Sequence, residues 1–145
     1  MEISLQEITK DNIDAVLRLK VHQNQEQLVA DNAYSIAQGT YSDLSWFRAV
    51  YADDQPVGFV MLELDTGKAQ YYLWRYMIGK QHQGNGYGRK ALELVIAFVR
   101  QQPNAKQFLL SYVPAEGSPG PFYSKLGFVE TGEVEHGEHI MSLKL

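Results

Sequence analysis

Six residues, Gln83-Gly84-Asn85-Gly86-Tyr87-Gly88, sit between an apolar run (Tyr71 to Ile78) and a stretch with helical spacing. Alternate glycines at a strand-to-helix junction leave backbone N–H groups bare, so an anionic oxygen can approach them closely. The helix that follows adds the partial positive charge of its N-terminus, and together they form a phosphate cradle. Two familiar cradles fail on spacing. A dinucleotide fingerprint needs G-x-G-x-x-G, and Arg89 stands where its third glycine belongs. A P-loop needs Gly-Lys-Ser/Thr, but Gly79-x4-Gly84 is followed by Asn85-Gly86. The pattern that fits is Q/R-x-x-G-x-G/A, with Gln83, Gly86 and Gly88 in register. A glycine-rich turn without a ligand is the plainer alternative.

A second cluster with chemical potential is Phe122-Tyr123-Ser124-Lys125-Leu126-Gly127-Phe128. With the glycine pattern it resembles two motifs of the GCN5-related N-acetyltransferases, in the right order and about one strand plus one helix apart. The resemblance covers the whole chain. It implies an α/β fold, a twisted mixed sheet with helices on both faces, and acetyl-CoA as co-substrate with no metal.

Acetyl transfer to an amine needs a deprotonated amine, a stabilised oxyanion and a protonated leaving thiolate. By the resemblance, Tyr123 protonates the departing sulfur. A phenol near 10 and a thiol near 8.5 make that donation uphill by roughly 1.5 units in water. A positive field from the glycine-loop helix is expected to narrow the gap. The same alignment lays the cofactor arm along Met77 and Ile78 like an added strand, with a backbone N–H there polarising the thioester carbonyl. It places the pyrophosphate on Gln83, Gly84, Asn85, Gly86, Tyr87, Gly88 and Arg89, and puts Lys125 in a cofactor-binding position. Glu116 stands where many relatives carry a cofactor-contacting asparagine, and Ser118-Pro119-Gly120-Pro121 replaces the usual start of that helix. The general base is open. Trp74 takes the place of a glutamate found in many relatives, leaving Glu63 and Glu26 as candidates, through water; each is equally a plain surface carboxylate.

The elements that must carry these groups follow from periodicity. Residues 2–8 alternate as a strand, and Thr9 can cap a helix bearing Ile13, Val16, Leu17 and Val21. A second helix is predicted over about 24–38, ending at Gly39. Strands Trp46–Tyr51 and Pro56–Leu64 flank the turn Ala52-Asp53-Asp54-Gln55, and a further strand covers 69–78. A helix over 87–101 would carry Ala91, Leu94, Val95 and Phe98 on one face. Strand Phe108–Val113, a short helix over 119–126 and strands near 127–132 and 138–144 complete the order β-α-α-β-β-β-α-β-α-β-β.

The 145 residues suit one domain spanning 1–145, and no apolar stretch reaches the roughly 18 residues of a membrane span. Absence of cysteine excludes disulfides, thiolate metal sites and a catalytic thiol. The four histidines form no metal-spaced pair on a predicted helix. Without a basic and apolar leader at Met1-Glu2-Ile3-Ser4, a cytoplasmic location is the simple expectation. The net charge of −4 argues against nucleic acid as a partner.

Charge is segregated. Residues 1–78 hold eleven acidic and six basic side chains, whereas 80–106 hold five basic ones against Glu93. A basic stretch beside a phosphate cradle suits a polyanionic cofactor, and an acidic first half suits a cationic co-substrate. Stretches such as Gln27–Ser35, Val57–Met61 and Leu73–Ile78 are similar to bacterial diamine and spermine/spermidine N-acetyltransferases. The expected substrate is thus a polyamine, with Glu26, Asp31, Asp43 and Glu63 as counter-charges. Another amine (a protein N-terminus, an aminoglycoside or a drug) and a non-catalytic acyl-CoA sensor are the alternatives, though a sensor needs no thiolate acid. Assembly state is open, a homodimer included.

Overall fold

Alternating apolar and polar residues, interrupted by turn-forming pairs, produce seven strands that join one mixed sheet. A computed structural model describes residues 1–145. The strands are β1 (Ile3–Gln6), β2 (Ser45–Ala52), β3 (Gln55–Asp65), β4 (Gln70–Ile78), β5 (Gln107–Tyr112), β6 (Val129–Glu135) and β7 (Glu138–Lys144). Their order across the sheet is β1-β2-β3-β4-β5-β7-β6. Every neighbouring pair is antiparallel except β4–β5, which is parallel.

Helices cover both faces. α3 (Tyr87–Arg100) and α4 (Gly120–Lys125) pack on one side, α1 (Ile13–Arg18) and α2 (Asn32–Thr40) on the other. β3 serves both cores by strict alternation: Val60 and Leu62 join the α3 side, Phe59 and Met61 the α1 side. That is why its sequence reads as an unbroken apolar run. No helix is long and apolar enough to cross a membrane.

The expectations for three helices need correction. α1 starts later than a Thr9 cap would allow, because the Asn12 side chain accepts from the Thr9 N–H at 2.8 Å and folds residues 9–12 into a turn. Val21 falls outside that helix. The continuous helix over 24–38 does not form. A single 3-10 turn (Gln23–Gln25) is followed by irregular chain, and α2 begins only at Asn32, capped by Asp31 accepting from the Tyr34 N–H at 2.8 Å. Gly39 lies inside α2 rather than ending it, where an added Cβ would sit 2.9 Å from Met61 Sδ and from the Phe47 ring. The buried stripe of α3 is Ala91, Leu92, Val95, Ile96 and Val99, so Leu94 is exposed, while Phe98 packs at the edge of the same core, stacked on Trp46.

Buried Asn32 connects α2 to the rest of its layer. Its amide donates to the Val16 carbonyl at 2.9 Å, satisfying the end of α1. Gly58 sets the approach of β3 to the last residue of β4, Ile78. A Cβ at Gly58 would lie 2.5 Å from the Met77 carbonyl oxygen and 2.7 Å from the Ile78 side chain. Gly58→Ala is therefore expected to cost about 1–3 kcal/mol, seen as a lower denaturant midpoint at unchanged m value. An unchanged midpoint would contradict this packing account.

Candidate active site

The parallel strands β4 and β5 pair only at Tyr72–Leu109 and Leu73–Leu110, then part. The fork opens a groove of about 940 Å³. Its walls are the second half of β4, the glycine loop, the β5–α4 connection, the tip of the β6–β7 hairpin and the irregular segment before α2.

At one end lies the glycine loop. Gly84 and Gly86 adopt left-handed φ values of +85° and +79°, and a Cβ on either would meet nothing within 4 Å. That empty space lies over the start of α3, where the N–H groups of Tyr87, Gly88 and Arg89 have no intrahelical partner. An anion can take those donors together with the helix dipole. Gly88 differs, since a Cβ there makes only ordinary contacts, 3.6 Å from Ile78 and Phe122.

Side chains brace the loop rather than reach outward. Gln83 Nε2 donates to the Ile78 carbonyl at 2.9 Å and to Gln25 Oε1 at 3.0 Å. The Asn85 amide donates to the His82 carbonyl at 3.1 Å. Tyr76 Oη donates to the Gly88 carbonyl at 2.6 Å, fixing the helix start on β4; burial, then proximity to Tyr123, pushes its phenol well up. Arg89 lines the groove but pairs with Glu93 at 3.0 Å. Lys125 is exposed on α4 and lies outside the groove lining.

Along the fork, β4 carries a bulge: Met61 faces Arg75 and Leu62 faces Leu73, leaving Trp74 as the extra residue. Past Leu73 no strand pairs with the β5-facing edge of β4, so its backbone is open to an extended ligand at Met77 and Ile78. The Arg75 guanidinium bonds Gln38 Oε1 at 2.9 Å and the Trp74 carbonyl at 3.1 Å, while its buried Nε has no partner. Burial lowers its pKa and the Glu138 charge partly restores it.

Tyr123 lies on α4, 6% exposed, and lines the same groove. Its ring packs against Phe122 and Phe128 at centroid distances of 5.4 and 5.8 Å. Burial pushes the phenol well above its ordinary value, and no charge or hydrogen bond offsets it. Desolvation is the dominant influence on the phenol at this depth. A thiolate leaving in the same dry pocket is itself made more basic by desolvation, and only the difference between the two groups matters for proton transfer.

The carboxylates are arranged differently from the sequence-based expectation. Glu63 lies on β3 opposite Tyr72 and does not line the groove. Asp31 is occupied as the α2 cap. Glu26 does line the groove, exposed at the end of the 3-10 turn. Glu116 is exposed and outside it. Two groove carboxylates were not anticipated, Glu135 and Glu138, on either side of the His136-Gly137 turn. The turn pair between acidic residues was a visible hairpin signal; its position over the β4–β5 fork was not. Ser111 Oγ donates to Glu138 Oε1 at 3.1 Å. Nearby Tyr72 has its phenol raised by burial first, lowered in part by Ser111, and raised again by Glu138, Glu135 and Glu63.

Comparison with known proteins bears on this groove. Residues 10–128 match the model of the acetyltransferase (GNAT) family. Over its full length the chain is 28% identical to a probable spermine N(1)-acetyltransferase of Bacillus subtilis subsp. natto, covering all of that protein. It is 27% identical, again end to end, to the spermine/spermidine N(1)-acetyltransferase of Bacillus subtilis strain 168. An acetyltransferase from Thermus thermophilus superposes with a TM-score of 0.80 at 17% identity, over 100% of this chain and 98% of that one. The PaiA N-acetyltransferase of Thermoplasma acidophilum, solved with coenzyme A, gives a TM-score of 0.70 at 16% identity, each chain fully covered. With the family model matched along most of its length and the same fold in both solved structures, the chain belongs to the GNAT acetyltransferase family.

Proposed function

We propose that this protein is an acetyl-CoA-dependent N-acetyltransferase whose acceptor is a polyamine. The observation that carries the reading is the polarity of one groove. A cradle of bare N–H groups forms one end, and Glu26, Glu135 and Glu138 line other walls. An acyl donor with a pyrophosphate fits the first, and an acceptor with several ammonium groups fits the second. The names of the two Bacillus relatives support the same acceptor.

In this reading residues Gln83 to Arg89 bind the pyrophosphate, chiefly through backbone N–H groups, with the Gln83 side chain holding the loop to β4. Met77 and Ile78 present their backbone to the arm. Acetyl-CoA supplies the acyl thioester. Tyr123 holds a proton for the departing sulfur, and its dry surroundings keep that proton in place until it is needed. Lys125 stands outside the groove lining, and Glu63 bears on the groove through Tyr72.

Arg75 favours a second reading, because a guanidinium among the residues lining the groove suits an acceptor bearing a carboxylate. A panel of spermine, spermidine, butylamine and glutamate, followed by acetyl-CoA-dependent thiol release, separates the two. The polyamines are expected to exceed butylamine in kcat/KM, and the advantage should shrink as salt rises past about 0.15 M, where the Debye length is about 8 Å. Preference for butylamine without salt dependence refutes the polyamine reading, and preference for glutamate establishes the second.

A further inference from the structure

We propose that Glu138 is the general base that takes the proton from the acceptor amine. The fork indicates where the reacting atoms meet. From the cradle back to the last β4–β5 pair at Leu73–Leu110 the strand spans roughly 15–20 Å. An extended arm anchored at the cradle carries its reactive end toward that closed end. Tyr123, more than nine-tenths buried and with an unpartnered hydroxyl, lines the same groove and awaits a ligand atom.

Glu138 belongs to that closed end. Ser111, which donates to its carboxylate, is the first residue of β5 beyond the final β4 pair. Tyr72 and Arg75 from β4 and Ser111 from β5 interact with the carboxylate, and Glu135 and His136 of the hairpin line the same groove. Tyr72 keeps its proton, so it does not compete as a base. The rival carboxylates are less well placed. Glu63 lies outside the groove, whereas Glu26 and Glu135 are exposed and no side-chain bond orients them. Glu138 alone among these is half-buried, in the groove and held by a hydrogen bond.

The proton balance is complete with these two residues. A Glu138 oxygen accepts one N–H proton from the ammonium, directly or through one water, and frees the nitrogen lone pair. The nitrogen bonds the acyl carbon, the C–S bond breaks with its electrons on sulfur, and Tyr123 Oη–H protonates the sulfur. The second proton, lost as nitrogen becomes an amide, returns to the Tyr123 oxygen. The products are the acetamide, a free thiol and one proton passed from Glu138 to solvent.

This proposal rests on amine acetylation but not on the preference for polyamines. Glu138→Gln keeps the size of the side chain and an oxygen for Ser111, and removes the basicity. Thiol release is measured with spermidine and separately with propylamine. With whichever amine is turned over, kcat at neutral pH should fall by about 10²–10⁴ while KM for acetyl-CoA changes less than about twofold. The gap between wild type and variant should narrow as pH rises toward about 10, where the amine sheds its proton unaided. A kcat within about threefold of wild type overturns the assignment, as does a lowered kcat with a pH-independent gap or a rise in amine KM alone. Turnover of propylamine but not spermidine removes the polyamine reading and leaves Glu138 testable. A wild-type protein that acetylates neither amine overturns the base together with the reading beneath it.

Discussion

Tyr123→Phe is expected to lower kcat by about 10²–10⁴ while the affinity for acetyl-CoA stays within about twofold. The substitution removes one oxygen and leaves the ring contacts with Phe122 and Phe128 intact. Because the hydroxyl has no partner in the chain, its loss leaves no buried donor or acceptor stranded. Stability near neutral pH should therefore be unchanged, and a loss of activity is attributable to the missing proton. Single-turnover thiol release, with melting as the control for folding, reads both quantities. A kcat within about twofold of wild type, with chemistry rate-limiting, would mean that another group or water protonates the sulfur.

The raised phenols add a signature in stability. Above about pH 10 a tyrosine in the unfolded chain ionises, whereas Tyr72, Tyr76 and Tyr123 keep their protons in the fold. The unfolded state then binds fewer protons, so stability is fully present below about pH 10 and falls as pH rises beyond it. Removing the Tyr123 hydroxyl should make that alkaline decline shallower.

What could be read from the chain was what local chemistry dictates. Glycines at 84 and 86 marked a bare backbone beside a helix start, and the structure adds that both hold left-handed φ values of +85° and +79°. Strand alternation located β2, β3 and β4 to within a residue or two. The helix expected over 24–38 does not form as one piece, because the Asp31 side chain caps a new helix that starts at Asn32. Leu94 is exposed because α3 turns the neighbouring edge of a broad apolar stripe, Leu92, Val95, Ile96 and Val99, into the core. The acidic groove wall draws on both halves of the chain, Glu26 from the first and Glu135 and Glu138 from the second. Glu135 and Glu138 lie in the half of the sequence with the more basic balance, and only the insertion of β7 between β5 and β6 brings their hairpin over the fork. Nothing within ten residues of them encodes that. Gln83 shows the same limit in miniature: its place in the motif was legible, but its bonds to Ile78 and to Gln25, 58 residues away, were not.

Gly86→Val is expected to raise the Kd for acetyl-CoA by about 10²–10⁴ while the protein still folds. Gly86 caps α3 with φ +79°, a conformation that a β-branched residue adopts only under strain. The backbone penalty is about 1–2 kcal/mol, a cost the rest of the sheet can absorb. No side-chain clash adds to it, since the space around a Cβ here is empty to 4 Å. That space is where a phosphate oxygen would approach the open N–H groups of α3. A valine occupying it forfeits charge-assisted hydrogen bonds worth about 1.5–3 kcal/mol each, and the loss of two accounts for a change of that size. Gly88→Ala separates strain from occlusion, because its φ is not left-handed and its Cβ would make only 3.6 Å contacts with Ile78 and Phe122. Calorimetric titration of acetyl-CoA into each variant measures the effect, with thermal melting as the check on folding. A folded Gly86→Val protein that binds acetyl-CoA as tightly as wild type would place the pyrophosphate somewhere other than this loop.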